Sequence, residues 1–283
     1  INEEETRYYA RVVPRNKSLS RSMLDFHNLY VKSILIKQVA NKTNGGILLD
    51  IGCGKGGDLP KWRNNNFSFV LGIDSVKDNI ENVTDGACSR YMDNMTRNPV
   101  GLPKALFVWA DGSKELMGMS QNSGLDEYNK NILEILWGRK PITEIPEKHR
   151  DIWGLCGDKF NIISCQFAIH YFFSSLETLE TVVRNISNNT KNDGYFIGTS
   201  FDGNTIYNKL KEHDKGDMLV GKHQQKGNVI WRIRKEYDNL GDTLPLDETS
   251  LGMEIKVFIE TINQTFTEYL FNFEYFEQLM NQN

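Results

Sequence analysis

Short apolar runs alternate with polar stretches of helical periodicity through the first two thirds of the chain. Runs of four to eight apolar residues predict buried strands, and apolar residues three or four apart predict helices. The predicted strands lie at 47–51, 67–74, 105–110, 159–165, 195–199, 228–236, 254–260 and 267–270. The predicted helices lie at 24–39, from about 58, and at 76–95, 175–189, 202–213 and 272–281. This alternation predicts an α/β fold, a doubly wound and mostly parallel sheet with helices on both faces.

The 283 residues suit a single domain, 1–283, that carries additions. Residues 7–23 are basic and aperiodic, and residues 1–23 are predicted to form an N-terminal arm. Residues 112–157 are polar, hold two candidate short helices, and are predicted to be an insertion on the surface of the sheet. The start of the chain lacks both an initiator Met and an apolar signal core, so we expect a domain excised from a longer chain, without a secretory signal. No apolar run approaches the length of a membrane span, so we expect no membrane association.

The net charge of the chain and the spacing of its cysteines and histidines argue against some classes of function. The formal net charge is −4, whereas a protein that grips long nucleic acid is usually basic, so any RNA contact should be short and local. The four cysteines, at 53, 88, 156 and 165, have no metal-ligand spacing, and the five histidines form no HExxH-like cluster. We therefore expect reduced intracellular thiols and no metal site.

Acidic residues follow three of the predicted strands. The loop GCGKGGD follows the strand 47–51, with Asp50 just before it and glycines that allow a tight turn. Asp74 closes the next strand and Asp111 follows the third. Because ligands of doubly wound sheets bind beyond the carboxyl ends of the strands, these acids predict a site for a nucleoside-containing cofactor. The loop alone also fits the nicotinamide pattern, through Gly52, Gly54 and Gly57.

The acids and the loop together resemble the S-adenosylmethionine site of class I, Rossmann-like methyltransferases. From about Phe26 to Tyr269 the chain further resembles the messenger-RNA cap guanine-N7 methyltransferases, cellular and viral. The segments that carry this resemblance are HNLYVKSILI (27–36), LDIGCGKGGDLPKW (49–62), GID (72–74), CSRY (88–91), SCQFAIHYFF (164–173) and TEYL (267–270). The segment 164–173 is the most distinctive, because other methyltransferase families have no reason to keep its Gln-Phe and His-Tyr pairs.

The resemblance implies a role for each matching residue. The residues implied to bind S-adenosylmethionine, with S-adenosylhomocysteine as product, are Lys32, Asp50, Gly52, Gly54, Asp58, Asp74, Asp111, Gln166 and Tyr171. The residues implied to contact the cap are Asn28, Lys55, Lys61, Arg90, Phe167, His170 and Glu268. Two departures stand out: Leu29 replaces the second Asn of the family's helix motif, and the closing strands that give a further aromatic contact are expected to be absent at the C-terminus.

The implied reaction transfers the cofactor's methyl group to guanine N7 of a GpppN-RNA cap. Guanine N7 has a free lone pair and the sulfonium methyl is already activated, so direct in-line displacement needs no general base or nucleophile. His170, Tyr171 and Glu268 would position the base, and the Glu268 carboxylate could accept both donors of the guanine N1–H and N2–H₂ edge.

Other functions stay open at this level. A class I methyltransferase for another RNA or a small molecule would keep the acids without needing Glu268; a nicotinamide oxidoreductase or a non-catalytic RNA-binding or partner subunit is a further alternative. Partners would be the capped 5′ end of mRNA, triphosphatase and guanylyltransferase domains of the same chain, or a stimulatory subunit. A cellular protein of this type would act in the nucleus, and a viral one in the host cytoplasm or the virion; the frequent Asn suits a large DNA virus.

Overall fold

The computed structural model describes residues 17–116 and 125–283. Most of the predicted arm and part of the predicted insertion lie outside these described residues. The chain divides into two compact units. The first unit comprises Leu35–Gln166 and Thr181–Gly198; the second comprises residues 17–34, Phe167–Glu180 and Thr199–Asn283. That the whole chain acts as one methyltransferase domain stays a prediction.

The first unit contains a five-stranded sheet. Its strands are β1 (Gly46–Ile51), β2 (Phe67–Asp74), β3 (Lys104–Trp109), β4 (Phe160–Gln166) and β5 (Thr190–Thr199), in the spatial order β3-β2-β1-β4-β5. Strands β1, β2, β3 and β4 pair in parallel. The central strands are buried along most of their length, as their continuous apolar runs predict. The α/β fold with a central parallel sheet is confirmed.

Helices connect these strands and begin and end near their predicted positions. The α-helices are α1 (Arg21–Asp25), α2 (Ser33–Thr43), α3 (Leu59–Arg63), α4 (Lys77–Glu81), α5 (Ala87–Arg97), α6 (Glu127–Leu136), α7 (Leu176–Asn189), α8 (Gly203–Leu210) and α9 (Phe273–Gln282). Short 3₁₀ helices lie at Ile142–Glu144, Glu147–Ile152, Ile169–Ser174 and Glu248–Ser250, and a π-helix at Phe26–Lys32 joins α1 to α2. Among the described residues, no helix combines the length and apolarity needed to cross a bilayer.

The second unit contains an antiparallel sheet that the sequence did not predict as a separate layer. Its strands are β6 (Met218–Lys222), β7 (Val229–Lys235), β8 (Glu254–Ile259) and β9 (Gln264–Tyr269), in that order across the sheet. The inner face packs on a core formed by α8 and the apolar positions of β7 and β8. Strand β6 was missed because it has a Gly and a Lys in its second half and every residue is at least partly exposed, so its apolar pattern is weak.

Two other boundaries differ from prediction. The helix expected over 76–95 is two helices, since the Asn82 side chain accepts hydrogen bonds from the backbone of Thr84 and Asp85 and so forms a turn between them. The last strand of the parallel sheet begins at Thr190 rather than 195.

The described part of the predicted insertion contributes to the core. Helix α6 buries Ile132, Leu133 and Leu136. The indole of Trp137, which follows it, donates a 3.1 Å hydrogen bond to Asn189. Residues 125–157 therefore do not lie wholly on the surface, although their status as an insertion stays a prediction.

Candidate active site

The glycine loop of the first unit needs its glycines. Gly52, Gly54 and Gly56 have φ values of 72°, 55° and 67°, a left-handed region that side-chain-bearing residues rarely adopt. The loop is fixed to the end of β2, because the backbone N–H of Gly52 donates to Ile73 O at 2.9 Å and that of Gly54 donates to the Asp74 carboxylate at 2.8 Å. The conformation of the loop is thus fixed by the chain's own hydrogen bonds.

Asp74, the predicted ribose acceptor, is buried and already hydrogen-bonded. Besides Gly54, it accepts from the backbone of Val76 at 2.9 Å and from the Asn79 side chain at 3.0 Å. Burial raises the pKa of Asp74, and these three hydrogen bonds oppose that rise. A carboxylate offers about four acceptor positions, so Asp74 keeps capacity for about one further donor.

The other predicted cofactor residues of this unit lie at the same edge of the parallel sheet. Asp50 is buried near the end of β1, and Gln166 is buried at the end of β4. Asp111 follows β3 and accepts a 2.8 Å hydrogen bond from the backbone of Ser113. Asp58, buried just before α3, is not at a strand end and forms an ion pair with Lys61 at 2.7 Å. The structure therefore gathers Asp50, Asp74, Asp111 and Gln166 at the carboxyl ends of neighbouring strands, as predicted.

The predicted triphosphate cations are largely neutralised by the chain's own acids. Lys55 forms ion pairs with Asp78 at 3.3 Å and with Asp85 at 2.7 Å. The guanidinium of Arg90 donates to the backbone carbonyl of Lys55 at 2.7 Å, which ties α5 to the loop. Since Lys61 is paired with Asp58, binding a triphosphate here would exchange existing ion pairs rather than fill a free cationic site.

In the second unit, Asn28 and Lys32 lie on the π-helix, which the sequence pattern could not distinguish from an α-helix. The Asn28 amide donates to Leu24 O at 2.9 Å, and Ser33 Oγ donates to Asn28 O at 2.8 Å. Single-turn π-helical segments frequently occur at functional sites.

Phe167 marks a strained point in the distinctive segment 164–173. Its φ is 58°, left-handed for a residue with a bulky side chain. Its N–H donates to Thr199 O at 2.9 Å, and its ring meets Phe201 edge-on at 4.9 Å and His27 at 4.3 Å. Backbone strain of this kind persists only where the surroundings fix it, and it clusters at functional sites.

His170 and Glu268 form a buried polar pair. His170, on the 3₁₀ helix Ile169–Ser174, is 1% exposed, and Glu268, near the end of β9, is 7% exposed. His170 Nε2 and Glu268 Oε2 lie 3.4 Å apart, yet neither atom finds a hydrogen-bond partner of adequate geometry among the described residues. His170 Nδ1 is 3.3 Å from the hydroxyl of Ser200, and Glu268 accepts a hydrogen bond from Tyr171.

Burial sets the charge of this pair. It raises the pKa of Glu268 to about 8, although the Tyr171 hydrogen bond opposes the shift. It also lowers the pKa of His170 to about 3. At neutral pH both groups are therefore mainly uncharged, and their 3.4 Å approach is not an ion pair.

Some residues around these groups were not predicted. Phe201 and Ser200 follow β5, so the rule that ligand-binding residues follow parallel strands could have found them. His27 and Asn79 act as neighbours of predicted residues, through contacts that no sequence pattern specifies. Among the described residues, no group of three or more His, Cys, Asp or Glu could hold a metal ion.

The parallel sheet, the left-handed glycine loop and the strand-end acids define a class I, S-adenosylmethionine-dependent methyltransferase fold. The residues present suit that cofactor: acids stand at the ends of the strands, beside a glycine loop whose left-handed backbone carries no side chain at Gly52, Gly54 and Gly56.

Comparison with known sequences gives the family. The family model for the mRNA (guanine-N(7))-methyltransferase domain matches residues 4–283, and the chain belongs to this family. A "Probable mRNA-capping enzyme" of Acanthamoeba polyphaga mimivirus is 31% identical over 99% of this chain and 22% of its own length. The mRNA cap guanine-N(7) methyltransferase of Drosophila melanogaster is 29% identical over 82% of this chain and 46% of its own length.

The chain thus spans less than half the length of these relatives. Similarity to solved structures is weaker. Streptomyces venezuelae DesVI matches with a TM-score of 0.48 and 11% identity, over 97% of this chain and 90% of that one.

Proposed function

We propose that this chain transfers the methyl group of S-adenosylmethionine to N7 of the guanine cap of mRNA. The observation that carries the proposal is the buried pair of His170 Nε2 and Glu268 Oε2, two polar atoms 3.4 Å apart and without a hydrogen-bond partner among the described residues. Such atoms cost free energy unless a ligand pairs with them. Relatives named mRNA cap guanine-N(7) methyltransferase support the same reaction.

Glu268 supplies the specificity for guanine. The free protein holds Glu268 mainly protonated at neutral pH, but donation from the guanine N1–H and N2–H₂ groups, two donors that adenine lacks on the corresponding edge, favours its carboxylate form, so binding of the base releases this proton. In the tautomer in which His170 Nδ1 accepts from Ser200, the Nε2 atom carries the proton and donates to the base. A negative charge beside the ring also favours the positive charge that the base acquires on methylation.

The cofactor residues bind and orient the methyl donor. Bound S-adenosylmethionine supplies an activated methyl group and leaves as a neutral thioether. Asp74 accepts from a ribose hydroxyl, the glycine loop approaches the methionine part, and Asp111 and Gln166 provide acceptors at neighbouring strand ends. We assign Lys32 to the methionine carboxylate and Tyr171 to the methyl region, whereas Asp50 and Asp58 hold the loop.

The remaining predicted residues contact the rest of the cap. We assign Lys55, Lys61 and Arg90 to the phosphate bridge. The phosphates compete with Asp78 and Asp85 for the ammonium group of Lys55. They compete with Asp58 for that of Lys61. We assign Phe167 and Asn28 to the nucleoside. Catalysis in this scheme consists of proximity, orientation and electrostatic stabilisation, without proton transfer by a side chain.

The wider setting follows from the relatives. Because the mimivirus protein is several times longer than the matched region, we propose that this chain works beside triphosphatase and guanylyltransferase domains of one polypeptide or beside a stimulatory subunit. Its place of action would be intracellular: the nucleus for a cellular protein, the host cytoplasm or the virion for a viral one.

A substrate comparison tests the reaction. The protein is incubated with methyl-labelled S-adenosylmethionine and either GpppA or ApppA, and products are analysed for 7-methylguanosine. We expect label only from GpppA. Glu268→Gln should lower the rate with little change in cofactor affinity, and Asp74→Ala should weaken cofactor binding in calorimetry. Transfer to ApppA at the same rate, or equal loss of cofactor affinity in both variants, would refute the proposed assignment.

A further inference from the structure

An open cleft of about 680 Å³ lies in the second unit, and none of the residues that line it is assigned a role above. One wall is the start of the described chain, with Lys17, Arg21 and Ser22. The opposite wall is the turn between β6 and β7, with His223 and Lys226. The cleft is therefore lined mainly by hydrogen-bond donors.

The walls of the cleft are held in place by Glu260. Its carboxylate accepts hydrogen bonds from Ser18 Oγ at 2.8 Å, from Ser20 Oγ at 3.3 Å and from the backbone N–H of Leu19 at 3.4 Å. Glu260 itself follows the end of β8, and its N–H donates to Ile230 O on β7. The basic segment is thus tied to the antiparallel sheet, and neutral donors solvate the Glu260 carboxylate, whose negative charge offsets one of the three cationic side chains that line the cleft.

The cleft keeps a surplus of positive charge. Arg21 is matched by Asp25 at 3.3 Å, the one acid that lines the described walls. Lys17 and Lys226 remain as exposed cations. His223 Nδ1 accepts from the backbone N–H of Lys226 at 3.3 Å, which leaves its Nε2 as a donor. In a chain of net charge −4, such a local surplus selects anions.

The position of the cleft within the second unit indicates which anion it binds. The cleft lies at the end of the sheet where β9 begins at Gln264, and Glu268 stands four residues further along the same strand. Four residues of strand span about 13 Å, and the two strand spacings from β7 to β9 add about 10 Å sideways, so the separation is roughly 16 Å, the rise of about five stacked nucleotides at ~3.4 Å each. We propose that this cleft binds backbone phosphates of the single-stranded RNA that follows the cap. This inference adds a contact with the RNA chain to the proposed cap methylation. It rests on the proposed function only in assuming that the cap binds at Glu268 and the following nucleotides bind in the cleft.

Binding of uncapped RNA tests the inference without any methyl transfer. A 3′-labelled single-stranded 12-mer is titrated in fluorescence anisotropy at several salt concentrations, with the wild type and with Lys17→Gln/Lys226→Gln. Losing two phosphate contacts should lower the slope of log K against log salt by about 1.4 and weaken binding about 10- to 30-fold near 0.1 M salt. The control, Lys209→Gln/Lys215→Gln, removes two exposed charges of the same unit and should change neither. An equal effect of the two double variants, or no effect of the first, would overturn the inference.

A second arm separates RNA from other phosphate sources and from the proposed reaction. For Lys17→Gln/Lys226→Gln, KM for a capped 12-mer should rise by about the same factor, whereas the kinetics with GpppA should not change. Inorganic phosphate at millimolar concentration should not displace the RNA; displacement would indicate a site for a free anion and overturn the assignment to an RNA chain. If the wild type methylates neither substrate, the proposed function fails while the anisotropy result still decides this inference.

Discussion

Replacing Glu268 by Gln should change how the stability of the protein depends on pH. In the folded state burial raises the pKa of this carboxyl from 4.5 to about 8. The folded protein therefore binds a proton that the unfolded chain has released over this range. The stabilising contribution of protonated Glu268 is fully present below about pH 4.5 and is lost as the pH rises toward 8, so the free energy of unfolding falls with pH.

The size of the effect follows from the two pKa values. At about 1.36 kcal/mol per pH unit, the cost of keeping Glu268 folded rises from about 1 kcal/mol at pH 5 to about 4 kcal/mol at pH 8. Glu268→Gln removes this term, because the amide does not titrate. The variant should thus gain about 3 kcal/mol relative to the wild type between pH 5 and pH 8, whatever constant difference its packing introduces.

His170 gives a term of opposite sign that both proteins share. Its pKa is lowered from 6.5 to about 3, so the contribution of its neutral form is present above pH 6.5 and lost as the pH falls. In the wild type the two contributions to the free energy of unfolding partly cancel between about pH 4.5 and 6.5. From pH 6.5 to 8 the free energy of unfolding falls by about 1.5 kcal/mol. The comparison with the variant removes the histidine term and isolates Glu268.

Urea unfolding followed by circular dichroism at pH steps from 5 to 8 measures the difference. Glu212→Gln, which removes an exposed carboxyl of the same unit, controls for a change in net charge. Parallel curves for the wild type and Glu268→Gln across this range would show that Glu268 does not hold a proton in the folded state, and the account of the pair as uncharged would be wrong.

Three further predictions test individual contacts. Asp74→Asn should weaken S-adenosylmethionine binding about 10- to 100-fold in calorimetry, because a charge-assisted hydrogen bond contributes about 1.5–3 kcal/mol; unchanged affinity would contradict its role. Phe167→Gly should be more stable in urea than Phe167→Ala by about 1 kcal/mol, the reverse of the usual order, because only Gly adopts φ near 58° without strain; the usual order would contradict this reason. Lys235→Met should cost about 1.5–3 kcal/mol of stability, since the buried carbonyl of Leu210 and two partly buried acceptors lose their charged donor, while GpppA methylation by the folded fraction persists; a neutral effect on stability would contradict this reason.

The sequence predicted the parallel sheet well because its strands are continuous apolar runs. A central parallel strand is covered on both faces, so burial shows directly in its composition, and the acids that interrupt the pattern mark its carboxyl end. The positions of Asp50, Asp74 and Gln166 followed from this rule. Strand β6 gave no comparable signal because it lies at an edge and is partly exposed throughout.

Side-chain pairing was beyond prediction for a different reason. Lys55 meets Asp78 and Asp85, which lie 23 and 30 residues further along the chain. Such partners depend on how the loop packs on the following helices, not on local pattern. The same holds for the π-helix around Asn28, because its hydrogen-bond shift leaves no mark in the spacing of apolar residues.

Glu268 did leave a signal. In β9 it alternates with Phe266 on the face that pairs with Ile255 and Val257, the buried positions of β8. An acid at an apolar position of an alternating strand is expensive unless it is paired or used. Position alone, however, does not decide between these two explanations.

The comparison of Glu268 with Lys235 supports the proposal that Glu268 is used in binding. Lys235 pairs across the sheet with Ile255, and Ile255 pairs with Glu268. The ionisable side chains of Lys235 and Glu268 therefore lie in one row of the same inner face, two strand spacings or about 10 Å apart. Both are buried, but Lys235 donates to three acceptors of its own chain, whereas one Glu268 oxygen has no partner among the described residues. A buried polar group whose hydrogen bonds are all made costs little, whereas one left with an open position costs stability that a ligand can restore. The hydrogen-bond partners, and not the burial, therefore distinguish the structural residue Lys235 from Glu268, which is proposed to bind guanine.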